Sequence, residues 1–208
     1  MEDKTARTIE AYNKNYHSYN EKFMNYSSYV GHINEFATLL EDGFSVLDIG
    51  CGPGNVAKQL CAAKTLQITG IDLSSEMVEV AKRNVPQGNF YLQDSRKADF
   101  PLECFDAVVL SFSIVHLYDH EAFALLAKAA KWLRSGGYLY ISFMEGREAG
   151  FETTCFSSQP IYFNYFKRNE IQDILTENGI HCIRTVEQDY LEPDGSNTAD
   201  IFIFGKKQ

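Results

Sequence analysis

Two periods of apolar and polar residues run through this chain, and the switches between them mark its elements. Over residues 4–24, Ile9, Tyr12, Tyr16, Tyr19 and Phe23 follow one another at intervals of 3, 4, 3 and 4, which predicts an amphipathic helix with an aromatic stripe. A second helix over about 28–41 sets Ile33, Phe36, Ala37 and Leu40 on one face, and Gly43 suits a left-handed stop. Beyond it, short apolar runs alternate with helical patterns. Strands are expected at 46–49, 67–72, 89–94, 105–111 and from the Gly136-Gly137 turn through 142. Helices are expected at 56–63, after Ser74 and over 119–134. A further helix runs from Asn169 to Glu177, and Asn178-Gly179 ends it. Strand, helix, strand in repetition points to a parallel sheet covered on both faces. The final strands, about 181–188 and 200–206, flank the polar run Glu192-Pro193-Asp194-Gly195-Ser196 and read as an antiparallel hairpin. Residues 145–167 have no steady period and carry many aromatic rings. The expectation is one α/β domain over 1–208. It holds a mostly parallel seven-stranded sheet with an antiparallel last strand, and a helical cap over 1–42.

The chemistry concentrates where the first strand ends. Val46-Leu47-Asp48-Ile49 leads into Gly50-Cys51-Gly52-Pro53-Gly54 and then a helix. Glycines allow a sharp turn and let the backbone lie against a ligand without a Cβ in the way. The helix behind them aims unpaired N–H groups toward the turn. A dinucleotide fingerprint would need a third glycine at position 55, which is Asn55. Asp72 falls 22 residues after Gly50, where a carboxylate can accept from both hydroxyls of a ribose. Asp94 closes the expected third strand. Three successive strands closing near an aspartate matter together, because the carboxyl ends of parallel strands share one edge and ligands bind there.

Charge and cysteine content narrow the partners. The net charge is −9 with no basic run, so nucleic acid is a poor partner, since phosphate binding needs clustered cations. Five scattered cysteines form no C-x-x-C pair, which argues against a zinc knuckle or redox motif, and no metal is expected. No apolar run approaches the ~20 residues of a membrane span, and residues 1–30 are too polar for a signal peptide. A cytoplasmic protein without membrane partners is expected, its oligomeric state unreadable.

The D-I-G-C-G-P-G run of residues 48–54 resembles motif I of the S-adenosylmethionine-dependent methyltransferases with the Rossmann-like fold. Three further stretches, in the family's order, carry the resemblance along nearly the whole chain. These are G-I-D-L-S-S-E-M at 70–77, F-D-x-V with a trailing H-L at 105–117, and L-x-x-G-G-x-L-x-I at 133–141. Tyr12, Tyr19 and Phe23 match part of a Y-D-x-x-A-x-x-Y-x-x-x-F pattern ahead of motif I, from which Asn13 and Tyr16 depart. The resemblance implies S-adenosylmethionine as cofactor and methyl transfer to an oxygen or nitrogen of a small molecule. It implies that Asp72 holds the ribose, that Leu73 and Met77 flank the adenine, and that Asp94 and Ser95 receive its amino group. The turn with Gly50, Cys51 and Gly52 would approach the methionine part, Asp48 would orient that turn or the amino group, Ser111 would also border the cofactor, and Tyr19 would turn its ring toward the sulfonium. His116 falls just past the fourth strand's edge, where an imidazole of ordinary pKa near ~6.5 could take a proton from an oxygen or nitrogen nucleophile as the catalytic group, or else pack or hydrogen-bond in the loop. Residues 145–167 are either a core-packed crossover or a substrate lid, and the resemblance, through Tyr162, Phe163, Tyr165 and Phe166, implies the lid. No N-P-P-Y, D-P-P-Y or Pro-Cys sequence occurs, which sets the chain apart from adenine, glutamine and cytosine-C5 methylating enzymes. Two other readings stay open: an enzyme using a nicotinamide dinucleotide, and a non-catalytic S-adenosylmethionine-binding partner subunit.

Overall fold

The computed structural model describes residues 4–24, 27–191 and 197–208; the polar run 192–196 lies outside them. Two helices, α1 (Lys4–Phe23) and α2 (Ser27–Ala37), precede β1 (Ser45–Ile49). The chain then alternates through α3 (Asn55–Ala63), β2 (Gln67–Asp72), α4 (Ser75–Asn84), β3 (Asn89–Leu92) and β4 (Phe105–Ser111). A single 3-10 turn (Ile114–His116) leads to α5 (Asp119–Trp132) and β5 (Leu133–Glu145). A hairpin of β6 (Gly150–Thr154) and β7 (Ser157–Phe163) follows, then α6 (Arg168–Glu177), β8 (Ile180–Leu191) and β9 (Asn197–Lys207).

Seven strands form one sheet in the order β3-β2-β1-β4-β5-β9-β8. β1 pairs in parallel with β2 and β4, β2 with β3, and β4 with β5; β9 runs antiparallel to both β5 and β8. The sheet is buried on both sides, which explains why its strands read as apolar runs rather than as alternations. Val108 and Leu110 of β4 and Ile201 and Ile203 of β9 join the core beneath α5 and α6. Ala107, Val109, Phe202 and Phe204 face the other way, onto Phe36 of α2, Val56 and Leu60 of α3, and Val78 of α4. Burying a side chain of this size is worth ~1.5–3 kcal/mol, so both cores are needed to fix the register.

Several expected boundaries move. The second helix ends at Ala37, and Gly43, at φ 91°, makes the turn into β1 instead of stopping that helix. α5 stops at Trp132, because Leu133 is already extended and pairs with Phe105; Gly136-Gly137 lies inside β5, beside a bulge, and is not the helix stop. Gly137 is needed there for close approach, since a Cβ would lie 2.8 Å from the Asp106 carbonyl oxygen. β3 ends at Leu92, so Asp94 sits two residues beyond the strand rather than at its end. Within the aperiodic segment 145–167 lies a two-stranded sheet, β6 and β7, whose pairing carries a register shift between Glu152 and Thr154 and whose first strand is too short and too exposed to signal itself by an apolar run.

α1 crosses the carboxyl edge of the sheet. It kinks at Asn15 (φ −114°, ψ 17°), whose side-chain amide donates to the Ala11 carbonyl and to Ser157 Oγ at 3.1 Å. Tyr162 N–H donates to Thr8 Oγ1 at 3.2 Å, so the cap and the hairpin are tied together along their length. No helix among the described residues is long and apolar enough to cross a membrane.

Candidate active site

The edge where β1, β2 and β4 end opens into two cavities, of about 120 Å³ and 270 Å³, that share Tyr12, Tyr19, Gly50, Gly52, Ser111, Phe112 and His116 as walls. The smaller is also lined by Asp72, Leu73, Met77, Asp94 and Ser95, and the larger by Asp48 and Cys51. All twelve residues singled out from the sequence thus border this one hollow.

The glycine turn builds its floor. Gly50, Gly52 and Gly54 have φ of 69°, 52° and 81°, the left-handed region in which a side chain is strained. At Gly50 a Cβ would also collide with Ser113 Cβ at 2.5 Å. Gly52 N–H donates to Asp72 Oδ2 at 2.9 Å, and Asp72 Oδ1 accepts from Ser74 N–H at 2.8 Å. One carboxylate therefore fixes the turn after β1 to the start of α4, whose N-cap is Ser74, accepting from Met77 N–H. Asp72 keeps lone pairs for the cavity, since a carboxylate has about four acceptor sites. Burial raises its pKa, opposed by those backbone donors.

Asp48 differs from Asp72 in being left short of partners. It is 2% exposed, and its Oδ2 has no hydrogen-bond partner. Burial, and then the nearby Asp72 charge, push its pKa up to about 7. A buried acceptor without a donor costs ~1–3 kcal/mol, and such a cost at a cavity wall is relieved by a ligand that brings the donor. Burial also raises the Cys51 thiol, which is held protonated.

Asp94 is held by Arg96, whose Nε and Nη2 donate to its two oxygens at 2.9 and 2.8 Å. That guanidinium keeps the carboxyl below its usual range. Arg96 reaches on to Glu121 at 2.9 Å, and Glu121 pairs with Lys4 of the cap at 3.3 Å. Lys4 is 6% exposed; its ammonium lies 3.4 Å from the centre of the Tyr118 ring and donates to the His116 carbonyl at 3.1 Å. The chain Asp94–Arg96–Glu121–Lys4 latches the start of α1 beside the smaller cavity. Its members lie too far apart in sequence for any periodicity to signal it.

His116 ends the 3-10 turn behind β4. Its Nδ1 donates to the Tyr162 carbonyl at 2.9 Å, which leaves Nε2 as the acceptor for the Tyr12 hydroxyl at 3.0 Å. Burial depresses its pKa to about 4, so the imidazole is neutral at pH 7. Burial raises the Tyr12 and Tyr19 phenols, so both stay protonated. Just before His116, Phe112 adopts φ 48°, a left-handed backbone unusual for a bulky residue, held by donation from its N–H to the Ser142 carbonyl.

Aromatic rings close the larger cavity. Phe156, in the β6–β7 turn, stacks on Tyr12 at 5.5 Å between ring centres and meets Tyr19 edge-on at 4.9 Å. Tyr29 of α2 packs on Phe112 at 5.1 Å and donates to Asp200 Oδ2 at 2.7 Å. Asp200 belongs to the sheet edge because β9 runs antiparallel, which brings its beginning to the rim where the parallel strands end. The sequence reading passed over Tyr29, Arg96 and Asp200, and it gave no site role of their own to Phe112, in the stretch after the fourth strand, or to Phe156, within the aromatic segment 145–167. The available signal was Asp200 itself, a charged residue before the apolar run Ile201–Phe204.

Comparisons with known proteins find a family model and similar folds. Residues 46–137 match the family model described as a methyltransferase domain. An O-methyltransferase, cnsE, of Penicillium expansum is 36% identical over 106 residues, covering 48% of this chain and 38% of that protein. The chain spans about half the length of the curated relatives it matches. A SAM-dependent methyltransferase of Methanosarcina mazei superposes with a TM-score of 0.72 at 16% identity, covering 83% of this chain and 96% of that one. The 1,6-didemethyltoxoflavin-N1-methyltransferase of Burkholderia thailandensis, solved with 1,6-didemethyltoxoflavin and S-adenosylhomocysteine bound, gives 0.70 at 17% identity, covering 98% and 88%.

Proposed function

We propose that this chain, which contains a stretch matching the methyltransferase-domain family model and shares the fold of a SAM-dependent methyltransferase, is a member of the Rossmann-like superfamily of S-adenosylmethionine-dependent methyltransferases, binds S-adenosylmethionine and moves its methyl group to an oxygen or nitrogen of a small molecule. The observation that carries the reading is Asp48 Oδ2, an acceptor buried without a donor at the wall of the hollow. An ammonium group supplies that donor. The other groups fit the same ligand. Asp72 has lone pairs to accept from ribose hydroxyls, and Leu73 and Met77 give apolar cover for a base. Asp94 and Ser95 lie at the same cavity for its amino group, and the Tyr19 ring offers its face to a sulfonium, worth ~0.5–2 kcal/mol.

S-adenosylmethionine supplies a methyl already activated on a sulfonium, so the chain's task is mainly to position the acceptor and manage its proton. Tyr12 and His116 are placed for the second task. Neutral His116 holds Nε2 toward the Tyr12 hydroxyl, and its other nitrogen is fixed by the Tyr162 carbonyl. A proton leaving the acceptor passes to Tyr12 as Tyr12 passes its own to His116. His116 is thereby the base of the site and Tyr12 the group that touches the acceptor. The β6–β7 hairpin serves as the lid, joined to α1 through Asn15 and Thr8. An acidic chain with five unpaired thiols suits a small metabolite in the reducing cytoplasm.

Isothermal titration with S-adenosylmethionine tests the binding step, and S-adenosylhomocysteine production across a metabolite panel tests the transfer. Binding without turnover on any acceptor favours a partner subunit. Tighter binding of a nicotinamide dinucleotide overturns the reading.

A further inference from the structure

The larger cavity extends well beyond what Asp48 and the glycine turn serve. From β1 to β9 the sheet passes β4 and β5, three strand intervals, or ~14 Å at ~4.8 Å each. Asp200 stands at that far wall, 4% exposed, and Glu152 of the hairpin lines the same space. Asp48, Glu152 and Asp200 put three carboxyl groups on the wall, where Lys22 is the one Lys or Arg among the described lining residues; Glu152 is already paired with Arg147 at 3.5 Å and accepts from the Tyr165 hydroxyl, which leaves Asp200 as the carboxyl group at the far end. The buried side-chain atoms left without partners on this wall are both acceptors, Asp48 Oδ2 and Gln59 Oε1. Tyr29, Phe112, Phe156, Phe163 and Tyr165 supply ring faces between them.

Unpaired acceptors, carboxylates and ring faces together select for positive charge and N–H donors, because each is satisfied by a cation and none by an anion. The sulfonium ligand accounts for Asp48 but does not reach β9. We infer that the acceptor is a small aromatic molecule carrying a protonated amine, and that Asp200 is the specificity-determining residue that receives this amine, apart from the atom that accepts the methyl group. The inference rests on the methyltransferase reading for the second site only. The Tyr29 hydroxyl donates to Asp200 and so holds the carboxylate in place. Tyr12 and Asp200 both line this cavity.

The test uses three probes of one shape and different charge: tyramine, 4-ethylphenol and 4-hydroxyphenylacetate. Their affinities are measured by titration on the full chain, both free and saturated with S-adenosylhomocysteine. Tyramine is expected to bind at least ~10-fold more tightly than 4-ethylphenol, with the anionic probe weakest. Asp200→Asn, which keeps the shape and the Tyr29 contact, should erase the preference while S-adenosylhomocysteine affinity stays within ~2-fold. Should Asp200→Asn fail to fold by circular dichroism, Tyr29→Phe and Glu152→Gln are read instead, each expected to shrink the preference. Equal binding of the three probes, no binding of tyramine, or a preference that survives loss of the Asp200 charge overturns the inference. S-adenosylhomocysteine failing to bind sinks the methyltransferase reading instead, with the probe preference still legible on the free chain.

Discussion

The two sides of the hollow are made differently. On the side of β1 and β2, side chains grip backbone: Asp72 holds the Gly52 and Ser74 N–H groups, and Ser74 caps α4. Those backbone partners lie within about thirty residues, on a frame buried on both faces; the one named group that reaches further is Ser74 Oγ, which donates to Asn13 Oδ1 of α1 at 2.6 Å. On the other side, side chains grip side chains brought from all over the chain: Tyr12 and Phe156, Tyr29 and Asp200, Asn15 and Ser157. Tyr12–Phe156 and Asn15–Ser157 join the cap to the hairpin, neither of which belongs to the seven-stranded sheet, while Tyr29–Asp200 ties the cap to the start of β9. A ligand held by the first side meets fixed groups. A ligand held by the second meets groups that α1 and the hairpin carry with them, which suits the first to a common cofactor and the second to a particular acceptor.

Substitutions can break this division, and the largest effect belongs to the fixed side. Asp72→Ala removes the proposed ribose acceptor and frees two backbone donors, and S-adenosylmethionine affinity should fall ~100-fold or more by titration, hydrogen bonds to charged groups being worth ~1.5–3 kcal/mol each. An unchanged dissociation constant would falsify the assignment. On the movable side, Tyr12→Phe should lower kcat by ~10–100-fold while cofactor affinity shifts less than ~3-fold, because it removes only the proton path to His116. A matched loss of cofactor affinity would show that Tyr12 belongs to the other half.

The pH dependence sharpens the comparison. Asp48, with a pKa of about 7 when free, must ionise to meet an ammonium. Affinity for S-adenosylmethionine should therefore weaken as pH falls below about 7 and level off above it; Asp48→Asn should flatten that profile. The same shift has a cost for the free protein. The native state keeps a proton that the unfolded chain has lost above ~4, so stability declines as pH rises from ~4 through about 7. Asp48→Asn should then raise the unfolding free energy at pH 8 by roughly 2–4 kcal/mol and leave it nearly unchanged at pH 4, read by denaturant titration. His116 acts in the opposite sense. Its pKa is depressed to about 4, so acidification from ~6.5 toward 4 loads a proton on the unfolded chain first and destabilises the fold.

The smallest expected effect is at the latch. Lys4→Met removes an ion pair but keeps apolar contact with Tyr118 and Tyr162. The cofactor should dissociate ~3–10-fold faster in stopped flow, with stability lowered by about 1–3 kcal/mol, since the pair is largely buried but Glu121 keeps Arg96 as a partner. An unchanged release rate would mean that α1 does not gate the smaller cavity.

What was legible from the residues alone follows this same division. Motif spacing located Asp48, Asp72 and the glycine turn, because that side is assembled from neighbours in sequence and from backbone geometry that few residue types permit. The short, exposed first strand hid the hairpin, and Gly136-Gly137 passed for a helix stop because a glycine pair suits a bulged strand equally well. His116 was found by its motif, but its partners were not, since Tyr12 lies 104 residues away and the Tyr162 carbonyl carries no sequence signal.

The sequence by itself determined the alternating fold, the doubly buried sheet and the groups at its first edge, because period and glycine placement are local constraints. Only the tertiary structure decided that Asp48 lacks a donor, that His116 is neutral and tied to Tyr12, and that Asp200 enters the cavity from an antiparallel strand. Burial and pairing are properties of what surrounds a side chain, and those surroundings come from elements up to the whole chain apart.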